Sequence, residues 1–586
     1  VRFVLALAGA LGCRSDAPHL AAPAAPQATV VDDFEDVSAW SAHPADGVAL
    51  AVRAGAGARG GALRLDFDFH GGGGYAVVRR AVALDLAENY AFSFRIRGEA
   101  PPNHLEFKLV DTSGDNVWWH VERDVQFARA WRTITIPKRK IQFAWGPAGG
   151  GEIRHAAALE FAITAGSGGR GSVWIDALEL RALPSTEAPP PPLRAQASSA
   201  AADAMRAVDA DTATAWSPAP ADRRPWIAVD LGAAREFSGV VLHWQPGRHP
   251  PDYDLEASDD GQSWRRLRRV RGSNGGRDAL FLPETAAHAV RLRLLSACRG
   301  GPALAEIQLQ PLAWAASPTA FFQAEARAAP RGMYPRSLSG EQVYWTVVGG
   351  TSDADEFLLS EDGTLEIGVG GFTLEPFLFE SRRLYTWADV GAAPRLADGR
   401  LPIPSVLWTA GDLELEITAL ASVDSTPARA VLYRVENRGA AATTGSLFVA
   451  VRPFQVNPPA QFLNVQGGSS PVRSIAWDGR RVVVNGERAL RPQPAPAAFG
   501  AVAFDGGDVV ADFLRQGLLP PTAGARDDFA AASGALRFDW ALGPGDSRTF
   551  ALDVEPARPP TARRGRGART AAAVVTPHAA QAGWAA

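Results

Sequence analysis

The chain has 586 residues and a formal net charge of -4, too long for one hydrophobic core and too nearly neutral for a general attraction to nucleic acid or anionic lipid. Two cysteines exclude a disulfide framework, and 58 glycines, 44 prolines and 17 tryptophans, with few long apolar-periodic helical stretches, favour many short strands joined by turns. The expected class is therefore all-β.

In chain order, residues 1–11 (VRFVLALAGAL) form a short apolar run that reads as a signal peptide, because it cannot span a bilayer. The run ends in Ala10-Leu11-Gly12-Cys13, which resembles a bacterial lipobox, and residues 14–29 would be its tether. That resemblance implies lipidation of Cys13, with ordinary secretion and an incidental cysteine as the alternative. Both place the protein outside the cytoplasm, with membrane contact only through the anchor.

Residues 30–183 alternate polar and apolar positions, as in ALRLDFDF (62–69) and YAFSFRI (90–96), the period of strands with one buried face. HLEFKLVDTSGDNVWWHVERD predicts a hairpin turning at Ser113-Gly114-Asp115-Asn116. The opening VVDDFED, the WWH segment and the closing WID resemble jelly-roll carbohydrate-binding modules of the galactose-binding-like superfamily. The resemblance implies a structural calcium at Asp33, Glu35 and Asp176, which otherwise read as solvated strand-end charge. The tandem Trp118 and Trp119 fall on opposite faces of a strand, so one belongs to the core and the other can offer a platform to a sugar ring. His120 and Arg123 lie nearby to hydrogen-bond hydroxyls.

The prolines of 184–192 make a stiff, extended linker. Beyond it, SS (198–199), AVDADTATAW (207–216), WIAVDLG (226–232), YDLEASDDGQSW (253–264), VRLR (290–293) and AEI (305–307) follow in order and register. Residues 193–312 thus resemble the coagulation factor 5/8 type C (discoidin) domain, a second galactose-binding-like β-sandwich. Alternate acidic residues followed by a hydroxyl can wrap oxygens around one cation. The resemblance implies calcium held by the Ala207 carbonyl, Asp209, Asp211, Thr214 and Glu306, with Ala210 standing where the family has glycine. Family ligands contact variable loops, which makes Trp244, Arg248, His249, Asn274 and Arg277 candidates for gripping a sugar, against ordinary exposed loop. The basic run RRLRRVR (265–271) reads as a strand with a charged face, not a nucleic-acid motif.

Residues 313–556 are dense in strand signals such as FLLS (357–360), LELEI (413–417) and AVLYRVEN (430–437), which suit a large sandwich of two extensive sheets. GDLELEITAL, RAVLYRVENRG and GSLFVAVRPFQVNPP resemble the super-sandwich that precedes the helical catalytic domain of six-hairpin glycosidases. Residues 557–586 would then be a linker and the start of a helix. No paired catalytic carboxylates are visible: Glu375 and Glu380 sit beside aromatics but read as strand residues. GAGARG (55–60) opens no helix, and HGGG (70–73) has no partner G-x-S-x-G. The expected function is the carbohydrate-binding region of a glycosidase-like protein, with a non-catalytic surface adhesion lipoprotein as the alternative.

Overall fold

The computed structural model describes residues 28–183, 191–350, 355–422, 429–461 and 466–555. Cys13, most of the proline linker and the expected C-terminal helix lie outside the described residues. Among the described residues no helix is long and apolar enough to cross a membrane. The described chain is mostly antiparallel strand and divides into two compact units, between Pro191 and Pro192.

The first unit is a β-sandwich of two six-stranded sheets. One runs Ala49–Ala56, Gly61–Asp68, Arg170–Ala182, Tyr90–Glu99, Arg132–Pro137, with Ala28–Asp32 also paired to Arg170–Ala182. The other runs Gln142–Trp145, Val117–Val125, Asn103–Val110, His155–Thr164, Tyr75–Asp85, Ser41–Ala42. The period-two pattern decides which side chains go inward: Leu63, Leu65 and Phe67 from one strand and Phe92, Phe94 and Ile96 from another meet Phe107 and Phe161 of the facing sheet. The predicted hairpin forms, Asn103–Val110 pairing antiparallel with Val117–Val125.

The second unit begins with a sheet ordered Arg194–Ala197, Trp226–Trp244, Arg277–Leu294, Tyr253–Ser258, Arg265–Val270, with Leu304–Gln310 also on Trp226–Trp244. Its two longest strands change register together between Asp230/Arg235 and Phe237/Gly239, the bends that curve a sheet around its own core. Trp216, Trp244 and Tyr253 fill that core.

The chain continues into a sandwich of eight- and nine-stranded sheets whose interior holds Trp408, Tyr433, Leu447, Phe538 and Phe550. Between the two bodies lies one helix, Pro318–Ala328, capped by the Ser317 hydroxyl, which accepts the Ala320 N–H at 3.1 Å. The helix carries Phe321 and Phe322 into a cluster with Phe281, Trp314, Phe454, Phe504 and Phe529. This aromatic cluster joins the 193–310 sheet to the large sandwich.

Candidate functional site

Strand alternation separates the tandem tryptophans of the first unit. Trp118 is buried in the core, and its indole N–H donates to the Gly151 carbonyl at 2.8 Å. It therefore offers no platform, a correction to its reading as a sugar-binding candidate. Trp119 lies half-buried on the outer face, edge-on to Trp145 at 5.5 Å and 83°. Trp145 keeps 45% of its surface exposed. The Lys108 ammonium sits 5.3 Å from the Trp145 ring and 2.9 Å from the Glu106 carboxylate, which also accepts the Thr164 hydroxyl at 2.8 Å. An aromatic surface thus lies next to a fixed donor and a fixed acceptor that are paired with each other and largely buried beside it. The combination of an aromatic face with fixed polar groups is one that orients a polyhydroxylated ring.

His120 has the parity of Trp118: it pairs in register with core Phe107 and reaches Glu122 at 3.8 Å. It cannot share a surface with Trp119, which corrects that assignment. Hydrogen bonding to His120, with the Arg132 charge, holds the Glu122 carboxyl below its ordinary range despite partial burial. Arg123 has Trp119's parity and is exposed four residues along the strand. Trp145 was not singled out by sequence, although QFAWG ends in an aromatic before a glycine turn. Its place opposite Trp119 depends on the pairing of Gln142 with Trp119, a long-range register.

Asp33, Glu35 and Asp176 border the same cleft of about 440 Å³, with Arg59, Arg95 and Glu179, although among the described residues no three carboxylates are grouped closely enough to be a ligand set by themselves. Bulges in both parent strands, between Val30 and Asp32 and between Asp176 and Glu179, turn these carboxylates toward the loop 57–60. Asp176 accepts the Ala58 N–H at 2.8 Å, and Glu35 accepts the Gly61 N–H at 2.9 Å. Gly60 is required there: it has φ 64°, and a Cβ would fall 1.8 Å from Glu35 Oε1.

The loop 206–214 brings oxygens together more closely. The Thr214 hydroxyl has one proton but lies within 2.8 Å of Asp209 Oδ2, 3.2 Å of the Asp211 carbonyl and 3.3 Å of the Arg206 carbonyl. Glu306 reaches the same loop by accepting the Ala210 N–H at 3.1 Å. Burial pushes the Glu306 carboxyl up, and the Asp209 charge pushes it the same way. An excess of oxygens over protons suits a hard cation. The recorded carbonyl contact is that of Arg206, where Ala207 was expected; Ala207 itself is buried in the core. Ala210 adopts φ 63°, the left-handed turn that glycine takes without strain. Among the described residues no three His, Cys, Asp or Glu side chains are grouped as metal ligands, so a cation here would depend on carbonyl and hydroxyl oxygens as well.

Four of the five loop candidates of 244–277 are hydrogen-bonded within the protein, and the fifth, His249, is packed beneath a glycine with its Nδ1 buried and without a hydrogen-bond partner. Trp244 is 4% exposed, packs against Tyr253 and donates to Asp278 at 2.9 Å, so it is a core residue. Asp278 also accepts from Tyr253 at 2.6 Å and Ser273 at 2.8 Å. Arg248 closes the loop at 300–301, donating to the Gly301 and Gly300 carbonyls at 3.0 and 3.2 Å. The ring of His249 lies directly under Gly275, where a Cβ would come within 2.1 Å of Nδ1. Asn274 donates to Asp512 at 2.9 Å, and Arg277 grips Glu325 with two hydrogen bonds of 2.6 and 3.0 Å. Arg268 pairs with Asp505. These contacts lock one end of the 193–310 sheet onto the large sandwich around a cleft of about 90 Å³. Burial pushes the Asp505 and Asp512 carboxyls above their ordinary range.

In the sandwich, Glu375 is fully buried and paired with Arg452 at 3.1 Å, and Glu380 accepts the Thr443 hydroxyl at 2.8 Å. Arg452, 1% exposed, also pairs with Asp508 at 2.9 Å and lies between the rings of Tyr334 and Phe454. These pairs hold the structure together, and Asp508 also borders the cleft of about 90 Å³.

Residues 193–307 match the F5/8 type C domain family. Among solved structures, the chain is similar to the family 11 carbohydrate-binding module of the cellulosomal cellulase Lic26A-Cel5E of Clostridium thermocellum, at 19% identity and TM-score 0.24 over 27% of this chain and 96% of that one. It is also similar to chitosan-binding module 1 of a chitosanase/glucanase from Paenibacillus sp. IK-5, at 27% identity and TM-score 0.19 over 20% of this chain and 94% of that one. A third is CpGH89CBM32-5 from Clostridium perfringens in complex with GalNAc-β-1,3-galactose, at 24% identity and TM-score 0.19 over 20% and 94%. No curated protein matches the chain.

Proposed function

We propose that the protein binds a glycan through the outer sheet face of its first unit, with Trp119 and Trp145 as the aromatic surface and Lys108, Glu106 and Arg123 as polar contacts. The observation that carries this reading is the half-exposed indole pair beside a charge pair held rigid on neighbouring strands. Sugar C–H faces pack on indoles, while fixed donors and acceptors orient the hydroxyls. The F5/8 type C match supports the same class of function. In this reading the loop end of that segment is taken up by its contacts with the helix Pro318–Ala328 and the large sandwich.

The reading includes calcium as a structural ion at the 206–214 loop with Glu306, and a second at the Asp33, Glu35, Asp176 cleft. Bound there, calcium would offset the carboxylate repulsion and fix the loops. It also includes an extracytoplasmic location with lipidation at Cys13, and a glycosidase-like context for the sandwich. Quenching or shift of tryptophan fluorescence on a panel of neutral polysaccharides tests the binding site. Saturable binding lost in Trp119→Ala and Trp145→Ala is the expected result. Equal binding by the parent and both variants would place the site elsewhere.

A further inference from the structure

The basic run 265–271 is not absorbed by either site. It forms the edge strand Arg265–Val270, and its neighbours add further arginines in register. Asp254 lies between Arg269 and Arg293, and Glu256 between Arg266 and Arg291, on three adjacent strands. Arg269 binds Asp254 through two hydrogen bonds of 2.7 Å, with Arg266 at 3.8 Å. Glu256 is held by Arg291 at 2.7 Å and Arg293 at 3.1 Å. Both carboxylates are buried beneath the guanidinium groups, whereas the Arg266 and Arg293 side chains remain 52% and 46% exposed. Four arginines therefore face two carboxylates, which leaves two positive charges unbalanced. The adjoining Arg265 has its own acid, Asp259, at 3.4 Å.

Each guanidinium has five N–H donors in a fixed fork, and the internal pairs use only some of them. The remaining donors project from a sheet whose strands are about 4.8 Å apart, with same-face side chains about 7 Å apart along a strand. The buried carboxylates act as pegs that keep the long side chains upright, so little rotamer freedom is left to lose on binding. Trp226, in register with Arg293, and Trp264 flank the patch and are half-buried. Trp264 already carries Arg291 over its ring at 4.2 Å, which removes a stacking platform that a nucleic-acid base would need.

We propose that this arginine face of the F5/8 type C segment is a second binding surface, for an acidic polysaccharide bearing carboxylate or sulfate groups. It is independent of the Trp119 site. The test uses the full chain in affinity electrophoresis with polygalacturonate, dextran sulfate and uncharged dextran. The parent should be retarded by one or both acidic polymers and not through this face by dextran, and its affinity should fall about tenfold as salt rises from about 0.05 to about 0.5 M and shortens the screening length. Retardation by polygalacturonate alone would assign the carboxylate source, and by dextran sulfate alone the sulfate source. The double variant Arg266→Gln/Arg293→Gln leaves each buried carboxylate with its nearer arginine, so the fold should survive. It should weaken acidic-polymer binding about fivefold or more through loss of charge-assisted hydrogen bonds, while Trp119→Ala binds those polymers as the parent does. The proposal is overturned if the parent ignores both acidic polymers, if a folded double variant (checked by its thermal transition) binds them unchanged, or if duplex DNA is bound more tightly than either.

Discussion

The outer face of the first unit and the loop end of the F5/8 type C segment contain similar side chains put to different uses. On the first, Trp119 and Trp145 lie partly exposed on a sheet surface, beside a Lys108–Glu106 pair that is itself buried. On the second, Trp244 is core, Asn274 is bound to Asp512 of the sandwich, and Arg277 is bound to Glu325 of the helix Pro318–Ala328. An aromatic, an amide and a cation near one another are not by themselves a sugar site. What decides is whether an accessible face or spare donors remain after the contacts within the chain are made, since a group whose polar atoms are all engaged must give up a bond before it grips a ligand.

The largest expected effect separates the two cation clefts. Chelating calcium should lower the thermal transition of the second unit by the linkage energy, about 2.7 kcal/mol at a free ion concentration one hundred times Kd. Asp209→Asn, which alters the side-chain oxygen beside Thr214, should abolish that response, and Asp176→Asn should act only on the first unit. Calorimetry with and without chelator measures both, and a transition indifferent to calcium would remove the ion from both loops.

Next, Arg277→Met should destabilise the second unit by about 2 kcal/mol, because Glu325 is left buried without its partner; the cost is below that of a deeply buried pair since Arg277 is itself partly solvated. Glycan affinity should be unchanged. Lost affinity with intact stability would return Arg277 to the ligand loop. Trp119→Ala should do the reverse, weakening glycan binding by about 2 kcal/mol as a central aromatic contact with little effect on unfolding.

The smallest effect concerns pH. Burial raises the Asp512 carboxyl above its ordinary value of 3.8, so its favourable contribution is fully present below that value and is lost as pH rises through the raised one. Asp512→Asn keeps an oxygen to accept from Asn274 and from the Asp508 N–H. Its thermal transition should therefore exceed the parent's near neutral pH, and the two should converge as pH falls toward 4. A gap that widens on acidification would mean that the carboxylate charge stabilises the junction.

Much of the architecture was legible because it follows from local rules. Alternation in ALRLDFDF and YAFSFRI set both the strands and their buried faces, and it separated Trp118 from Trp119 without revealing which would be core. The spacing of Asp209, Asp211 and Thr214 located the oxygen-rich loop, since those residues are close in the chain. Trp145, the burial of Trp244 and the pairing of Arg277 with Glu325 were not legible, because each depends on partners brought together across many intervening residues.

The sequence by itself determined the all-β class, the inward and outward parity of each strand and the short-range oxygen loop, all products of backbone geometry within a few residues. Only the tertiary structure decided which aromatics stay accessible and which charged groups are already satisfied. Exposure and pairing are properties of packed surfaces, and a surface exists only once distant strands have found their register.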